Sequence, residues 1–171
     1  MPTASKTATR RTPTLIGWRE RVAMPDLDLA LIEAKIDTGA RTSALHATKI
    51  TEFERDGAPW VRFHIPHAGK LHARNCEAPL VDTRSVKNTS GIGQDRHVIS
   101  TMLIIGTRRW RIEVSLTDRA SMKMPLILGR TAFRRRGILV DAGKSYLAGA
   151  PTGKTPRKKR AARAPLKGPN P

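Results

Sequence analysis

Cysteine is nearly absent from this chain. Cys76 stands alone, so no intrachain disulfide can form, which fits a reducing cytoplasm. Long apolar runs are missing too: none approaches the roughly 20 residues that cross a bilayer. Residues 1–12 carry Lys6, Arg10 and Arg11 with no apolar segment behind them, so no secretory signal is expected. Acid is absent from both ends. All 14 acidic residues lie between Glu20 and Asp141, against 32 Lys and Arg, for a net charge of +18. Residues 151–171 hold seven bases and residues 1–14 three, which leaves 22 bases with the 14 acids in between. The 171 residues, 39% of them apolar, suit one domain plus tails. The expected division is a disordered N-terminal tail over 1–13, a domain over 14–148, and a disordered, proline-dotted basic tail over 149–171.

What is present reads as β-structure. Leu15–Met24 is an apolar strand closed by Pro25 and Asp26, and Leu29–Asp37 alternates loosely before running into a Thr-Gly turn. Thr42–Ala47 is a further short apolar piece. Trp60–Ile65 alternates cleanly, with Val61, Phe63 and Ile65 on one face, and Asp56-Gly57 before it is a hairpin turn signal. Leu71–Val81 gives one or two strands interrupted by Pro79. Asn88–Gln94 reads as a polar, glycine-rich hairpin tip. His97–Ile105 and Arg109–Leu116 flank Gly106-Thr107 as a second hairpin, and Leu126–Leu128 ends at Gly129. Thr131–Arg136 reads as a short helix, and Ile138–Val140 with Ser145–Leu147 closes the domain. Many short strands with turn signals between them indicate an all-β barrel or sandwich.

One motif carries chemistry. Asp37-Thr38-Gly39-Ala40 sets an acid at the end of an apolar strand. Gly39 permits a tight turn and close approach of another chain, and Thr38 has a hydroxyl to brace the loop. Two facing carboxylates cannot both ionise easily; they share a proton, one acting as base on a water and the other as acid. A strand-end Asp in an Asx turn is the plain alternative.

Ile36-Asp37-Thr38-Gly39-Ala40 resembles the catalytic loop of retroviral-type aspartic proteases. Gly91-Ile92-Gly93 resembles their flap, and Ile104-Ile105-Gly106 and Leu126-Ile127-Leu128-Gly129-Arg130 resemble their later apolar strands, all in the same order. Ile16-Gly17-Trp18-Arg19-Glu20, Lys35–Ala47, Phe53–Phe63 and Leu128–Thr131 narrow the resemblance. They are similar to a bacterial family with a retropepsin-like domain, commonly labelled ATP-dependent zinc proteases and linked to RimK-type amino-acid ligases. The resemblance spans about residues 14–147. It implies a small closed retropepsin-like barrel with one short helix, and an aspartic endopeptidase with one Asp per chain. A working pair then requires a homodimer with Asp37 from each subunit on the two-fold axis. It also implies Asp37, Thr38 and Gly39 as the catalytic loop, with Ala40, Arg41, Ser90, Gly91, Ile92, Gly93 and Arg130 against a peptide or protein substrate.

The sequence departs from that pattern at Arg41, where retroviral enzymes usually carry an acid that pairs with the Arg of the Gly-Arg element. Arg41 and Arg130 cannot pair, which leaves Arg41 to a substrate carboxylate or to another acid such as Asp118 or Asp141. Neither half of the family label has a motif. No H-E-x-x-H occurs, and His64, His67, His72 and Cys76 lack finger spacing, so packing and surface roles are expected and no metal. Ala148–Thr155 fits a permissive phosphate-loop pattern, but Pro156 and a basic run follow where a helix is needed, so no nucleotide cofactor is expected. Trp18, Trp60 and Trp110 read as packing aromatics, and Cys76 as a small buried hydrophobe. Lys154–Lys167, free of aromatics, supports at most weak, salt-dependent contact with nucleic acid. Three functions follow in order: a homodimeric aspartic endopeptidase, a peptide-binding barrel that does not cut, and an RNA- or ribosome-associated protein acting through its tail.

Overall fold

The computed structural model describes residues 12–87, 93–118 and 123–152. Ten strands follow one another: β1 Thr14–Met24, β2 Leu29–Asp37, β3 Ser43–His46, β4 Thr48–Arg55, β5 Ala58–Ile65, β6 Arg74–Lys87, β7 Gly93–Ile105, β8 Arg108–Thr117, β9 Leu126–Gly129 and β10 Ile138–Ser145. They form one sheet in the order β10-β1-β2-β9-β3-β8-β7-β6-β5-β4. Val22 and Ala23 of β1 also pair with Ile105 and Ile104 of β7. That extra pairing closes β1, β2, β9, β3, β8 and β7 into a six-stranded barrel, which leaves no free edge around the ring. Strands β6, β5 and β4 continue past β7 as an arm, and β10 lies parallel to β1 on the other side.

Alternation explains which face each strand buries. In β2, Ile32, Ala34 and Ile36 are buried while Glu33 and Lys35 face out, and Asp37 is partly exposed at the end. Val61, Phe63 and Ile65 of β5 turn inward and join a single apolar core with Leu45, Ile99, Leu103, Val114, Leu116, Leu126 and Leu128. Truncating a fully buried leucine such as Leu128 to Ala in such a core costs about 2–5 kcal/mol. Asp56 and Gly57 both take positive φ, 53° and 73°, the two-residue turn that matches strand twist.

The expected short helix is a single 3-10 turn, Arg130–Ala132, followed by turns through Arg135. A second such turn, Pro25–Leu27, links β1 to β2, and no α-helix occurs among the described residues. The reason is composition: after the buried Phe133, Arg134-Arg135-Arg136-Gly137 has no apolar face to bury, and Arg135 and Gly137 take positive φ. Strand β6 runs unbroken through Pro79, which ends its pairing with β5; from Leu80 onward β6 pairs with β7. A residue without an N–H fits where the strand changes partner. No helix among the described residues is long and apolar enough to cross a membrane. The flap residues Ser90, Gly91 and Ile92, and the basic run from Lys154, lie outside the described residues. Gly93 opens β7, opposite Lys87.

Candidate active site

Asp37 ends β2 alongside Gly129, the last residue of the parallel strand β9. Its Oδ1 accepts the Ala40 N–H at 3.0 Å, which curls the Thr38-Gly39 loop back onto the carboxylate. Its Oδ2 lies 3.3 Å from Lys35 Nζ, two residues back on the same face. The side chain keeps 29% of its exposure, so the carboxylate opens to solvent. The Ala40 N–H above all holds its pKa below the ordinary carboxylate value; burial opposes it, and the Lys35 ammonium adds to the lowering. In the single chain the ionised form of Asp37 is therefore favoured.

The loop after Asp37 is fastened to the Gly129-Arg130-Thr131 segment. Arg130 N donates to Ala40 O at 2.9 Å, Thr131 N to Arg41 O at 3.1 Å, and Thr131 Oγ1 to the same carbonyl at 2.8 Å. Gly129 N donates to the buried Ser43 Oγ at 3.2 Å, and Ser115 Oγ donates to Ser43 O at 2.9 Å. Arg130, with no acid at position 41 to meet, sends Nη1 to Gly39 O at 3.1 Å. Gly129 is the position where a side chain has no room: a Cβ there would stand 2.5 Å from Thr42 O. Gly39 is different. Its φ is not left-handed, and a Cβ would meet only Asp37 Oδ1 at 3.4 Å, so nothing in its own chain demands glycine.

Beyond the loop, Arg41, Thr42, Ser43 and Thr131 open into a cleft of about 470 Å³ whose other wall holds Arg84, Arg96 and Arg111. Four guanidinium groups and one carboxylate, Glu113, line it. Arg84 and Arg96 stand directly opposite each other on β6 and β7, a like-charge arrangement that costs stability unless something compensates. Asp82 and Glu113 compensate at Arg84, at 2.6 and 2.8 Å, and Asp26 lies 3.2 Å from Arg111. Arg41 forms no ion pair among the described residues. Asp141 serves the Gly143 N–H and Lys144 instead.

The family is decided by comparison over nearly the whole domain: the model of the RimB-like family, described as the retropepsin-like aspartic endopeptidase RimB, matches residues 15–151. The chain belongs to the RimB-like family. A protein of Shewanella pealeana named a probable alpha-L-glutamate ligase is 39% identical over 138 residues, which cover 79% of this chain and 30% of that relative. One of Parasynechococcus marenigrum with the same name is 39% identical over 137 residues, covering 79% and 29%. The chain thus spans about three-tenths of the length of these ligase-named relatives. A crystal structure of a Legionella pneumophila protein of unknown function matches with a TM-score of 0.67 at 31% identity, covering 79% of this chain and 98% of that one.

The remaining sequence candidates resolve locally. His64 Nδ1 is 2.8 Å from Asn75 Oδ1, and His67 and His72 meet edge to face at 6.3 Å. Cys76 is buried and its Sγ donates to Leu27 O. No group of three His, Cys, Asp or Glu fit to hold a metal occurs among the described residues. Trp110 is a packing residue as expected, its Nε1 bonded to Ala132 O at 2.8 Å. Trp18 is only partly buried and lies under the Arg19 guanidinium. Sequence reasoning passed over Lys35, Ser43, Ser115, Arg84, Arg96 and Arg111. Lys35 had a local signal, a cation two residues before Asp37 on an alternating strand. The others depend on strand register.

Proposed function

We propose that the chain is an aspartic endopeptidase that cuts acidic peptides as a homodimer, with Asp37 of each subunit forming the catalytic pair. The observation that carries this reading is the partly exposed Asp37 carboxylate, held at a strand end by the Ala40 N–H in a loop clamped by Gly129–Thr131. Brought together, two such carboxylates retain one proton between them. The ionised one takes a proton from a bound water, whose oxygen attacks the peptide carbonyl carbon. The protonated one hydrogen-bonds the carbonyl oxygen as charge develops there. The C–N bond then breaks and the proton passes to the leaving amine. Arg41, which forms no ion pair among the described residues and lines the cleft beside the loop, supplies the preference for carboxylate side chains. The ligase names of the longer relatives agree with a substrate built from glutamate.

A barrel that binds peptide without cutting is the second reading. It is favoured by Lys35 and the Ala40 N–H, which between them engage both Asp37 oxygens. RNA or ribosome contact through the basic tail is a separate proposal, tested by removing residues 151–171 and measuring retention on RNA. The deciding assay is incubation of purified protein with a mixed peptide library from acidic to neutral pH, read by mass spectrometry, with Asp37→Asn and a chelator-treated sample in parallel. Cleavage lost in Asp37→Asn and indifferent to chelator is the expected result. Peptide bound by both proteins and cut by neither supports the second reading.

A further inference from the structure

A second cleft, of about 540 Å³, opens on the outward face of the Asp37 strand, the face of Glu33 and Lys35. Trp18 and Arg19 of β1, Lys35 of β2, Ile127 of β9 and Lys123 line it. Its one carboxylate, Glu33, accepts the Tyr146 hydroxyl at 3.0 Å. Arg19 is committed to Ser145 Oγ at 3.3 Å and stacks on Trp18 with 4.5 Å to the ring centre. Lys35 is the link to the reacting group: it lines the cleft, and its ammonium lies 3.3 Å from Asp37 Oδ2. Period-two alternation places the two side chains on one row of the strand.

We propose that Lys35 is a specificity residue whose ammonium exchanges Asp37 for a carboxylate of the substrate residue beside the scissile bond. The inference rests on Asp37 being the catalytic carboxylate. An exposed ion pair between neighbours on a strand is weak and readily exchanged. Lysine is a flexible point charge with three donors, able to turn from one carboxylate to another. Asp37 Oδ1 already accepts the Ala40 N–H, and Oδ2, the oxygen not tied to the loop backbone, is the one Lys35 covers. An acidic residue in the cleft is bound and, by the same exchange, uncovers Oδ2. A neutral residue does only the first, and poorly. Among the other charges nearby, Arg130 is spent on Gly39 O, Arg41 lines the arginine cleft, and Arg19, the register partner of Lys35, is held by Ser145; Lys123 also lines the cleft, but Lys35 is the ammonium in contact with Asp37.

The test is a set of octaglutamine peptides in which a single Glu is moved through each position, cleaved by wild type, Lys35→Met and Lys35→Arg. Wild type is expected to cut the peptide with Glu beside the scissile bond at least tenfold faster in kcat than the all-Gln peptide. Lys35→Met should lose that preference at that position alone, keep any preference at positions further out, and shift the pH dependence of kcat. Lys35→Arg should restore part of it. A tenfold preference that survives in Lys35→Met overturns the proposal. If Asp37→Asn cuts as fast as wild type, the reading of Asp37 fails by itself, and binding then judges the cleft. With Lys35 released, Asp37→Asn should bind the Glu peptide at least fivefold more tightly than Asp37→Asn/Lys35→Met, read by Trp fluorescence. Equal affinity for the two overturns the assignment of the cleft.

Discussion

Gly129→Ala and Gly39→Ala should part company sharply, although both glycines belong to the same loop assembly. At Gly129 a new Cβ meets Thr42 O at 2.5 Å, Thr42 C at 2.6 Å and Arg41 C at 2.9 Å. All three are backbone atoms, so no side chain can swing aside. The two segments must separate, and overpacking of this kind costs about 1–3 kcal/mol. Separation also weakens the Gly129 N–Ser43 Oγ, Arg130 N–Ala40 O and Thr131 N–Arg41 O hydrogen bonds, each worth about 1 kcal/mol net. If one or two are lost, the sum is about 2–5 kcal/mol, a large share of the roughly 5–15 kcal/mol typical of a domain. At Gly39 the only neighbour is Asp37 Oδ1 at 3.4 Å, an ordinary contact, and the change should stay within about 1 kcal/mol. Urea unfolding followed by far-UV circular dichroism measures both against wild type. A Gly129→Ala midpoint indistinguishable from wild type, or a Gly39→Ala loss as large as that of Gly129→Ala, would refute the reasoning. Peptidase activity supplies the second axis: Gly39→Ala, stable as a chain, should lose cleavage if a partner loop or substrate backbone packs on that glycine.

Asp37→Asn should fold normally. Because the native Asp37 pKa is depressed, its ionisation stabilises the fold above the ordinary carboxylate pKa of about 4. That contribution is lost as pH falls through the lower native value, so the wild-type advantage over Asp37→Asn should be present at pH 6 and shrink progressively as pH falls below about 4 in paired urea titrations. Glu20, fully buried, accepts the N–H groups of Gly17 at 2.6 Å, Leu147 at 2.9 Å and Ala148 at 3.3 Å. Glu20→Ala strands all three donors and should cost about 3 kcal/mol, with faster hydrogen exchange at Leu147 and Ala148 as the local signature. Arg41→Ala should raise KM for acidic peptides several-fold, an effect that shrinks as salt rises toward 0.5 M; a salt-independent change would argue against a charge contact.

The barrel was legible where the strand signal is local. Trp60–Ile65 alternates without a fault, and Asp56-Gly57 has one available turn. Strand β4 was missed because Thr48–Arg55 lies at the sheet edge, with neither face fully buried, and is bulged between Thr48 and Thr51, where Lys49 takes φ 51°. Strand β6 was divided at Pro79 because a sequence does not say that a strand changes partners there. The joining of Ile138–Val140 and Ser145 into β10 was hidden by Gly143, which the parallel pairing with β1 tolerates. In the site, Asp37 and Gly129-Arg130 were readable as contiguous motifs. The arginine cleft was not, because Arg84, Arg96 and Arg111 converge only through the pairing of β6 with β7 and β8 with β7, and Arg41 joins them through the pairing of β3 with β8.

The clamp on Asp37 also orders events during synthesis. Asp37 pairs in parallel with Gly129, and Ala40 and Arg41 are held by Arg130 and Thr131, contacts that reach across about ninety residues of chain. A ribosome that has made β1 to β8 has produced the Asp-Thr-Gly-Ala loop with only its local contacts, the Ala40 N–H and Lys35 on Asp37, to hold it. Contacts of such sequence separation form late, because a long loop must close before they reward the chain. The loop therefore acquires its shape only after β9 has emerged and slid between β2 and β3. An unfinished chain carries the acid but not the clamp that Gly129–Thr131 closes on its loop.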